Sequence, residues 1–424
     1  MNKFCLITYG CKLNQTDSEI MRTLLLSNGF KESQEKGADF IIINTCAVVE
    51  KTQRKILKQA NEFKKTGKKI ILTGCLPAVV QTECEASADA VLGAQNVGLV
   101  IKAIKEIQKG NKLVVLKGKE INKAKLLKQT RPDPKNVVAI TAIAEGCLGD
   151  CSYCATKLAR KKLNSFGTKD ILKEIKLKIE SGFKEIQLTS QDLAVFGFDK
   201  KQRKLLLPEL LGGIAALPGD FKIKLGMMNP THAKIIFKDL LEIMESDKFY
   251  KFLHIPAQSG SDAVLKKMKR GNRAADFIVL AEKFRKIFPS GVLATDIIVG
   301  HPAETEEDFQ KTVELIKKAR PDVLHVFKFS KRKGTADYAL KDYPDRIKKE
   351  RSRILNNIFK DYNLKRNKEF LKTKQRALIV KKNEDGYLGR TLDGRAVAIS
   401  KGKIGEYKEL KIIGYKWNYL IGEE

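Results

Sequence analysis

Short apolar, β-branched runs alternate with helix-period stretches along most of the chain. Phe4-Cys5-Leu6-Ile7-Thr8-Tyr9 reads as a buried strand followed by a helix near 16–28, and Phe40-Ile41-Ile42-Ile43-Asn44-Thr45 is followed by one near 50–65. Ile70-Ile71-Leu72-Thr73 precedes a shorter helix. Strand-helix repetition of this kind predicts a parallel sheet with right-handed crossovers. Residues 99–135 interrupt the rhythm and end in Arg131-Pro132-Asp133-Pro134, a turn-rich linker. From Val137 the alternation resumes, with strands predicted near 137–143, 185–190, 222–228, 251–255, 292–299 and 323–329. Six such units predict a partial TIM-like barrel. Within it Thr168 can N-cap a helix whose Ile171, Leu172, Ile175 and Ile179 form a core stripe. A long basic helix from Pro344 to about Lys372 follows, with Ile354, Leu355, Ile358, Phe359 and Tyr362 on one face. Residues 374–424 then show short strands with Asp385-Gly386 and Asp393-Gly394 at the turns, which predicts a small all-β barrel. The chain is therefore expected to be α/β in three bodies: 1–105, 136–362 and 363–424, with 106–135 as a basic linker.

Composition sharpens this picture. The 424 residues are 43% hydrophobic and 31% charged, enough for a full enzyme core. No apolar run approaches the roughly 20 residues needed to span a bilayer. Met1-Asn2-Lys3 leads straight into the first strand, so a cytoplasmic, reducing setting and no membrane association are expected. There, eight Cys are better metal ligands than disulfide partners. The net charge of +31, from 81 Lys plus Arg against 50 Asp plus Glu, suits a polyanionic partner, nucleic acid being the natural candidate, and equally a Lys-rich solvated surface. Between Lys102 and Arg131 ten basic residues face Glu106 and Glu120, and Lys328, Lys331, Arg332 and Lys333 form a second patch.

Cysteine spacing brings in the chemistry. Cys147, Cys151 and Cys154, in Gly146-Cys147-Leu148-Gly149-Asp150-Cys151-Ser152-Tyr153-Cys154, have the CxxxCxxC spacing that holds three corners of an iron-sulfur cube. With no fourth Cys nearby, one iron would stay open. A structural zinc site would need two CxxC-like pairs or added His, which this segment lacks. Cys11, Cys46 and Cys75 each end one of the first three strands, at the edge where open α/β sheets place ligands. They form a second candidate trio, against the alternative of three buried core thiols. Gly10, Thr45 and Gly74 just before them suit close backbone approach to a bulky ligand. Cys5, inside the first strand, and Cys84, between Glu83 and Glu85, read as structural.

Other polar residues sit where predicted barrel strands end: Thr189-Ser190-Gln191-Asp192, His254 through Gln258-Ser259-Gly260, and Asp296 to Gly300. Their groups suit the polar ends of a cofactor or simple loop capping, and His254 suits a satisfied structural role. His232, His301 and His325 show no metal-like spacing. In the tail, Lys381, Lys382, Arg390, Arg395, Lys401, Lys403 and Lys408 interleave with Tyr387, Tyr407 and Trp417, a mix suited to single-stranded RNA or to an ordinary packing module.

These motifs together resemble the tRNA methylthiotransferase family of radical S-adenosylmethionine (SAM) enzymes. Tyr9-Gly10-Cys11-Lys12-Leu13-Asn14, Asn44-Thr45-Cys46 and Thr73-Gly74-Cys75-Leu76 resemble its N-terminal methylthiotransferase motifs. Gly146 to Cys154, Gln258-Ser259-Gly260-Ser261 and Asp296 to Gly300 with Glu304-Thr305-Glu306 resemble its radical SAM core, and the tail resembles a TRAM domain. Glu185 to Asp192 and Gly226-Met227-Met228-Asn229-Pro230 resemble the archaeal and eukaryotic branch, which acts on N6-threonylcarbamoyladenosine next to the anticodon.

The resemblance implies two 4Fe-4S clusters, one on each trio. The first would bind SAM and generate a 5'-deoxyadenosyl radical at Cys147, Cys151 and Cys154. The second, at Cys11, Cys46 and Cys75, would deliver the methylthio group to C2 of the adenine. It also implies SAM contacts from Tyr153, Ser190, Gln191, Gln258, Asp296 and Gly300. Its partners would be the tRNA anticodon loop, an electron donor and a sulfur source, with the protein a monomer. Lys161, Asn164, His301 and Ala303 depart from the family pattern, as does the segment Lys269-Arg270-Gly271-Asn272. The same chemistry on another modified adenosine or a ribosomal protein residue, and an iron-sulfur RNA-binding protein without turnover, are the competing readings.

Overall fold

The first sheet is more extensive than the hydrophobic runs predict. Strands β1 (Lys3–Thr8), β2 (Lys31–Glu32), β3 (Phe40–Thr45), β4 (Lys69–Gly74), β5 (Ala90–Leu92) and β6 (Leu113–Val115) lie in the order β2-β1-β3-β4-β5-β6. Every neighbouring pair is parallel. The three additional strands are two or three residues long, too short to show a period in the sequence. β3 is buried along its whole length because both faces are covered. Ile41, Ile43, Ile70 and Leu72 face a core with Ile56, Ala60 and Val80, while Phe40, Ile42 and Ile71 face one with Ile20, Met21, Leu25 and Ile104. Alternation at period two thus divides one apolar run between two cores.

In this computed structural model, residues 2–117, 123 and 137–424 are described. The linker expected at Arg131–Pro134 lies outside them. The described residues divide into two compact units, one drawn from 1–130, 142–174 and 330–339, the other from 131–141, 175–329 and 340–424. Both Cys trios belong to the first unit.

The second unit carries the expected open barrel. Val138–Ala142, Glu185–Thr189 and Lys222–Lys224 form one sheet, and Phe252–His254, Val292–Val299 and Val323–Lys328 another. Parallel bridges Ile223↔Phe249 and Met227↔His254 join the two in chain order. The strand expected over 222–228 stops at Lys224, and Met227 keeps a single bridge. Asp345–Lys368 is the long basic helix, which buries Leu355 and Phe359 one turn apart. The tail closes a five-stranded barrel from Lys374–Asn383, Gly386–Thr391, Ala396–Ile399, Leu420–Glu423 and Tyr407–Tyr415.

This small barrel packs on the amino-terminal ends of the larger barrel's strands, and the packing corrects part of the RNA reading. Arg390 donates to Glu185 Oε2 at 2.9 Å, and Arg395 to Asp322 Oδ1 at 2.8 Å. Gly394 lies so close to Phe252 that a Cβ there would sit 3.2 Å from the Phe252 Cβ. Trp417 meets Phe359 edge-on at 5.7 Å. Arg390, Arg395 and Trp417 are therefore packing residues. Lys381, Lys382, Lys401 and Lys403 remain exposed.

Asp322 holds three parts of this unit together. Arg285 and Arg366 also reach it, at 2.7 and 2.8 Å, from the helix Ala274–Ile287 and the long basic helix. Burial opposes its charge, but the three guanidiniums outweigh that and hold the carboxyl below its ordinary range. Removing one partner of a buried ion pair costs about 3–5 kcal/mol. Asp322→Ala should lower stability by about that much in urea unfolding and raise amide exchange across 374–424. Because the folded-state carboxyl is depressed, its contribution is present above the unfolded carboxylate range and is lost as pH falls through the folded value. The stability difference between wild type and Asp322→Ala should accordingly shrink in strong acid, and a difference that grew there would contradict the assignment.

Candidate functional site

Cys11, Cys46 and Cys75 follow β1, β3 and β4, which are adjacent strands, so sequence-distant thiols meet at one sheet edge. Neighbouring strands lie about 4.8 Å apart, which spaces the three attachment points for one bulky group. Cys11 is the N-cap residue of the helix Lys12–Ser27, and its Sγ lies 3.5 Å from Asn14 Oδ1. Asn14 Nδ2 donates to the Thr45 carbonyl at 2.8 Å, Asn44 Nδ2 donates to the Asn14 carbonyl at 2.7 Å, and the Leu76 amide donates to Thr45 Oγ1 at 3.1 Å. These buried polar bonds fix the strand ends from which the thiols project. Gly10 and Gly74 both have positive φ, and a Cβ on Gly74 would lie 2.6 Å from the Thr45 carbonyl oxygen. The close approach expected at Gly74 is thus to the neighbouring strand's backbone. Burial pushes the Cys75 thiol up to about 11, and Cys46 is raised by burial as well. Metal binding must therefore displace protons. Cys84 is pushed up to about 12 by burial under Glu83 and Glu85, and Cys5 lies within β1, in keeping with structural roles.

The second trio sits on a loop clamped at its base. Ala144–Glu145 pairs antiparallel with Asn164–Ser165, and Gly146 has φ 77° where a Cβ would come 1.9 Å from the Lys162 carbonyl oxygen. No other residue fits there. The Gly149 amide donates to Cys147 Sγ at 3.2 Å, and Lys157 Nζ donates to the carbonyls of Cys147 and Gly149 at 3.2 and 2.7 Å. Cys154 N-caps the helix Ala155–Arg160. Ser152 Oγ donates to Asp337 Oδ2 at 2.7 Å. Lys161, which stands where the family pattern has Gly, adopts φ 53°, the left-handed region that favours glycine. That departure therefore carries backbone strain.

Sequence spacing held no sign of the charges that surround these thiols. Arg160 is fully buried and reaches Asp17 Oδ2 at 2.6 Å, Asn14 Oδ1 at 3.2 Å and Glu145 Oε2 at 3.3 Å. Lys123 completes the network, 2.8 Å from Asp17 and 2.7 Å from Glu145. Arg332, expected as part of a surface patch, is 3% exposed; its Nε donates to the Ala47 carbonyl at 2.7 Å and one Nη to Gln53 Oε1 at 3.2 Å. Desolvation keeps buried Arg rare unless it is paired, and its partners here are separated from it by most of the chain.

The donor sets fit iron-sulfur groups. Tetrahedral zinc with Zn–S bonds of about 2.3 Å would draw thiolates to about 3.8 Å from one another. Among the described residues, the trio of His, Cys, Asp or Glu whose ligand atoms all lie within 4.8 Å is His254, Asp296 and His325, so both Cys trios are held wider than zinc demands. The sequence showed no link among those histidines. The structure brings His254 Nε2 and His325 Nδ1 to 3.0 and 2.8 Å from Asp296 Oδ1. Although burial opposes it, these two hydrogen bonds hold Asp296 well below the usual carboxylate range.

Of the residues implicated in SAM contact, Tyr153 belongs to the first unit and the other five to the second. Ser190 Oγ and Gln258 Oε1 are buried with no hydrogen-bond partner among the described residues, as polar atoms awaiting a ligand would be. Gln258 has φ 69°, and its backbone is pinned on both sides by the Asp296 carbonyl at 2.8 Å and the Ile298 amide at 2.9 Å. Strain of this kind costs about 1–3 kcal/mol and persists where the surroundings over-determine it. The Gly300 amide already donates to Glu304 Oε2 at 2.6 Å. His301, another departure, is fully buried against Phe329 at 5.1 Å.

Residues 3–93 match the uncharacterized protein family UPF0004, and residues 141–316 match the radical SAM superfamily. A protein of Archaeoglobus fulgidus named as a probable threonylcarbamoyladenosine tRNA methylthiotransferase is 43% identical over 417 residues, covering 98% of this chain and 97% of that one. A Pyrococcus horikoshii protein of the same name is 37% identical over 426 residues, covering 100% and 99%. The human threonylcarbamoyladenosine tRNA methylthiotransferase is 32% identical over 370 residues, covering 85% of this chain and 63% of its own. In fold, the chain is similar to the radical S-adenosylmethionine methyltransferase TsrM of Kitasatospora setae, with TM-score 0.60 at 10% identity over 80% of this chain and 75% of that one. With two cysteine trios and near-full-length likeness to these relatives, the chain belongs to the threonylcarbamoyladenosine tRNA methylthiotransferase family of radical SAM enzymes.

Proposed function

We propose that the protein adds a methylthio group to C2 of N6-threonylcarbamoyladenosine next to the anticodon of tRNA. The observation that supports this reading is two separate cysteine trios in one compact unit, Cys11, Cys46 and Cys75 and Cys147, Cys151 and Cys154, each able to hold one cluster. When loaded, the two 4Fe-4S clusters and SAM supply radical hydrogen abstraction, sulfur and a methyl group, chemistry that no side-chain base could perform at that carbon. The chain's own residues position these groups. Gly146 and Lys157 hold the CxxxCxxC loop in shape, and the Asn14–Asn44–Thr45 bonds hold the other trio at the sheet edge. Ser190 and Gln258 offer polar atoms to SAM, with Tyr153, Gln191, Asp296 and Gly300 as further contacts.

The exposed Lys381, Lys382, Lys401 and Lys403 attract the tRNA backbone. No helix of the described residues is long and apolar enough to cross a membrane. A cytoplasmic monomer served by an electron donor and a sulfur source fits this reading, as do domain limits of 1–105, 136–362 and 363–424.

Reconstituted Cys151→Ala should release no 5'-deoxyadenosine, whereas Cys46→Ala should still cleave SAM but yield no methylthio product. Methylthio-nucleosides should vanish from the tRNA of cells lacking the gene, and an unchanged nucleoside profile by mass spectrometry would refute the substrate assignment. Ser190→Ala and Gln258→Ala should each weaken SAM binding about fivefold to tenfold, the value of one hydrogen bond, without loss of iron. Equilibrium binding and iron assay check this. Replacing Lys381, Lys382, Lys401 and Lys403 by Glu should weaken tRNA binding and flatten its log–log salt dependence by about 0.7–0.9 for every phosphate that is no longer neutralised. An unaltered slope would exclude this face.

A further inference from the structure

We propose that Arg160 and Arg332 form a cationic cradle for the group held by Cys11, Cys46 and Cys75, donating N–H bonds to its sulfurs and raising its reduction potential. The inference rests on the reading of that trio as an iron-sulfur site.

Two buried guanidiniums flank the trio. Arg160 binds the Asn14 amide oxygen that also faces Cys11 Sγ, and Arg332 binds the carbonyl of Ala47, the residue after Cys46. Both are buried, and each retains an N–H donor, Nε of Arg160 and one Nη of Arg332, with no acceptor among the described residues. Leaving a buried donor unsatisfied is destabilising, and more so when it is charged.

Charge points the same way. Arg160 is balanced within a network of two carboxylates and Lys123. Arg332 makes two hydrogen bonds to neutral oxygens and forms no ion pair with a carboxylate among the described residues. The Glu50 carboxylate acts on Arg332 from beyond ion-pair distance, and a buried cation so weakly balanced is costly unless a nearer anion belongs beside it. Three thiolates on an iron-sulfur cube supply that anion, and its negative charge grows by one on reduction. Cations and N–H···S bonds stabilise the reduced form more than the oxidised form, and so raise the potential. Both arginines also act electrostatically on the thiols, Arg160 on Cys75 and Arg332 on Cys46.

The test uses the full-length Cys147→Ala/Cys151→Ala/Cys154→Ala chain, in which the N-terminal site is the cluster site that remains. Iron content, EPR-monitored redox titration and thermal unfolding are measured on this parent, then with Arg332→Met and with Asp17→Asn/Arg160→Met. The double change removes one charge of each sign and keeps the buried network balanced. Arg332→Met leaves no carboxylate stranded, so its fold does not depend on that network. The expected result is a midpoint potential more negative than the parent's in both variants, with Arg332→Lys recovering part of the shift. Loss of iron in a chain that keeps its thermal transition is also expected of a missing cradle. Unchanged iron content and potential in both variants would overturn the proposal and leave the site reading intact. A parent that assembles no cluster would overturn the site reading, and the cradle with it.

Discussion

The buried guanidinium of Arg160 is the interaction on which the first unit depends. It joins Asn14 and Asp17, on the helix that starts at Cys11, to Glu145, the residue immediately before the Gly146–Cys154 loop. Both trios are therefore referred to one rigid point, with Lys123 closing the charge balance. A network of this kind is costly to bury and more costly to break, because losing any member strands the opposite charge in low dielectric. It exchanges some stability for the fixed geometry of both Cys trios.

Around that point the sheet does the spacing. Parallel strands place all carboxyl ends on one edge, and β1, β3 and β4 are consecutive neighbours, so three thiols fall one strand apart without special loops. The segment 330–339 then reaches a chain neighbour of each trio, through Arg332 on the Ala47 carbonyl and Asp337 on Ser152. In the second unit the same economy appears at the opposite end of the barrel. There Asp322 and Glu185, at the starts of strands, anchor Arg395 and Arg390 of the small C-terminal barrel.

Much of this was legible locally. The strand-helix alternation, the long basic helix and the Asp-Gly turns each depend on residues within a few positions of one another, and each appears in the structure, although the strand predicted over 222–228 ends at Lys224. The short strands β2, β5 and β6 were not legible, since two or three residues carry no period. Charge was the least legible property. Arg332, Arg390 and Arg395 resemble their basic neighbours in sequence, yet each is committed to a partner within the protein.

The sequence alone determined the two Cys trios as candidate ligands, the α/β plan and the family, because spacing and period are properties of neighbouring residues. Tertiary structure alone decided which cations face those thiols, why Gly74 and Gly146 admit no side chain, and that His254, Asp296 and His325 meet. Each of these is a contact across tens to hundreds of residues. Burial, which gives such a contact its energy, exists once the chain has folded.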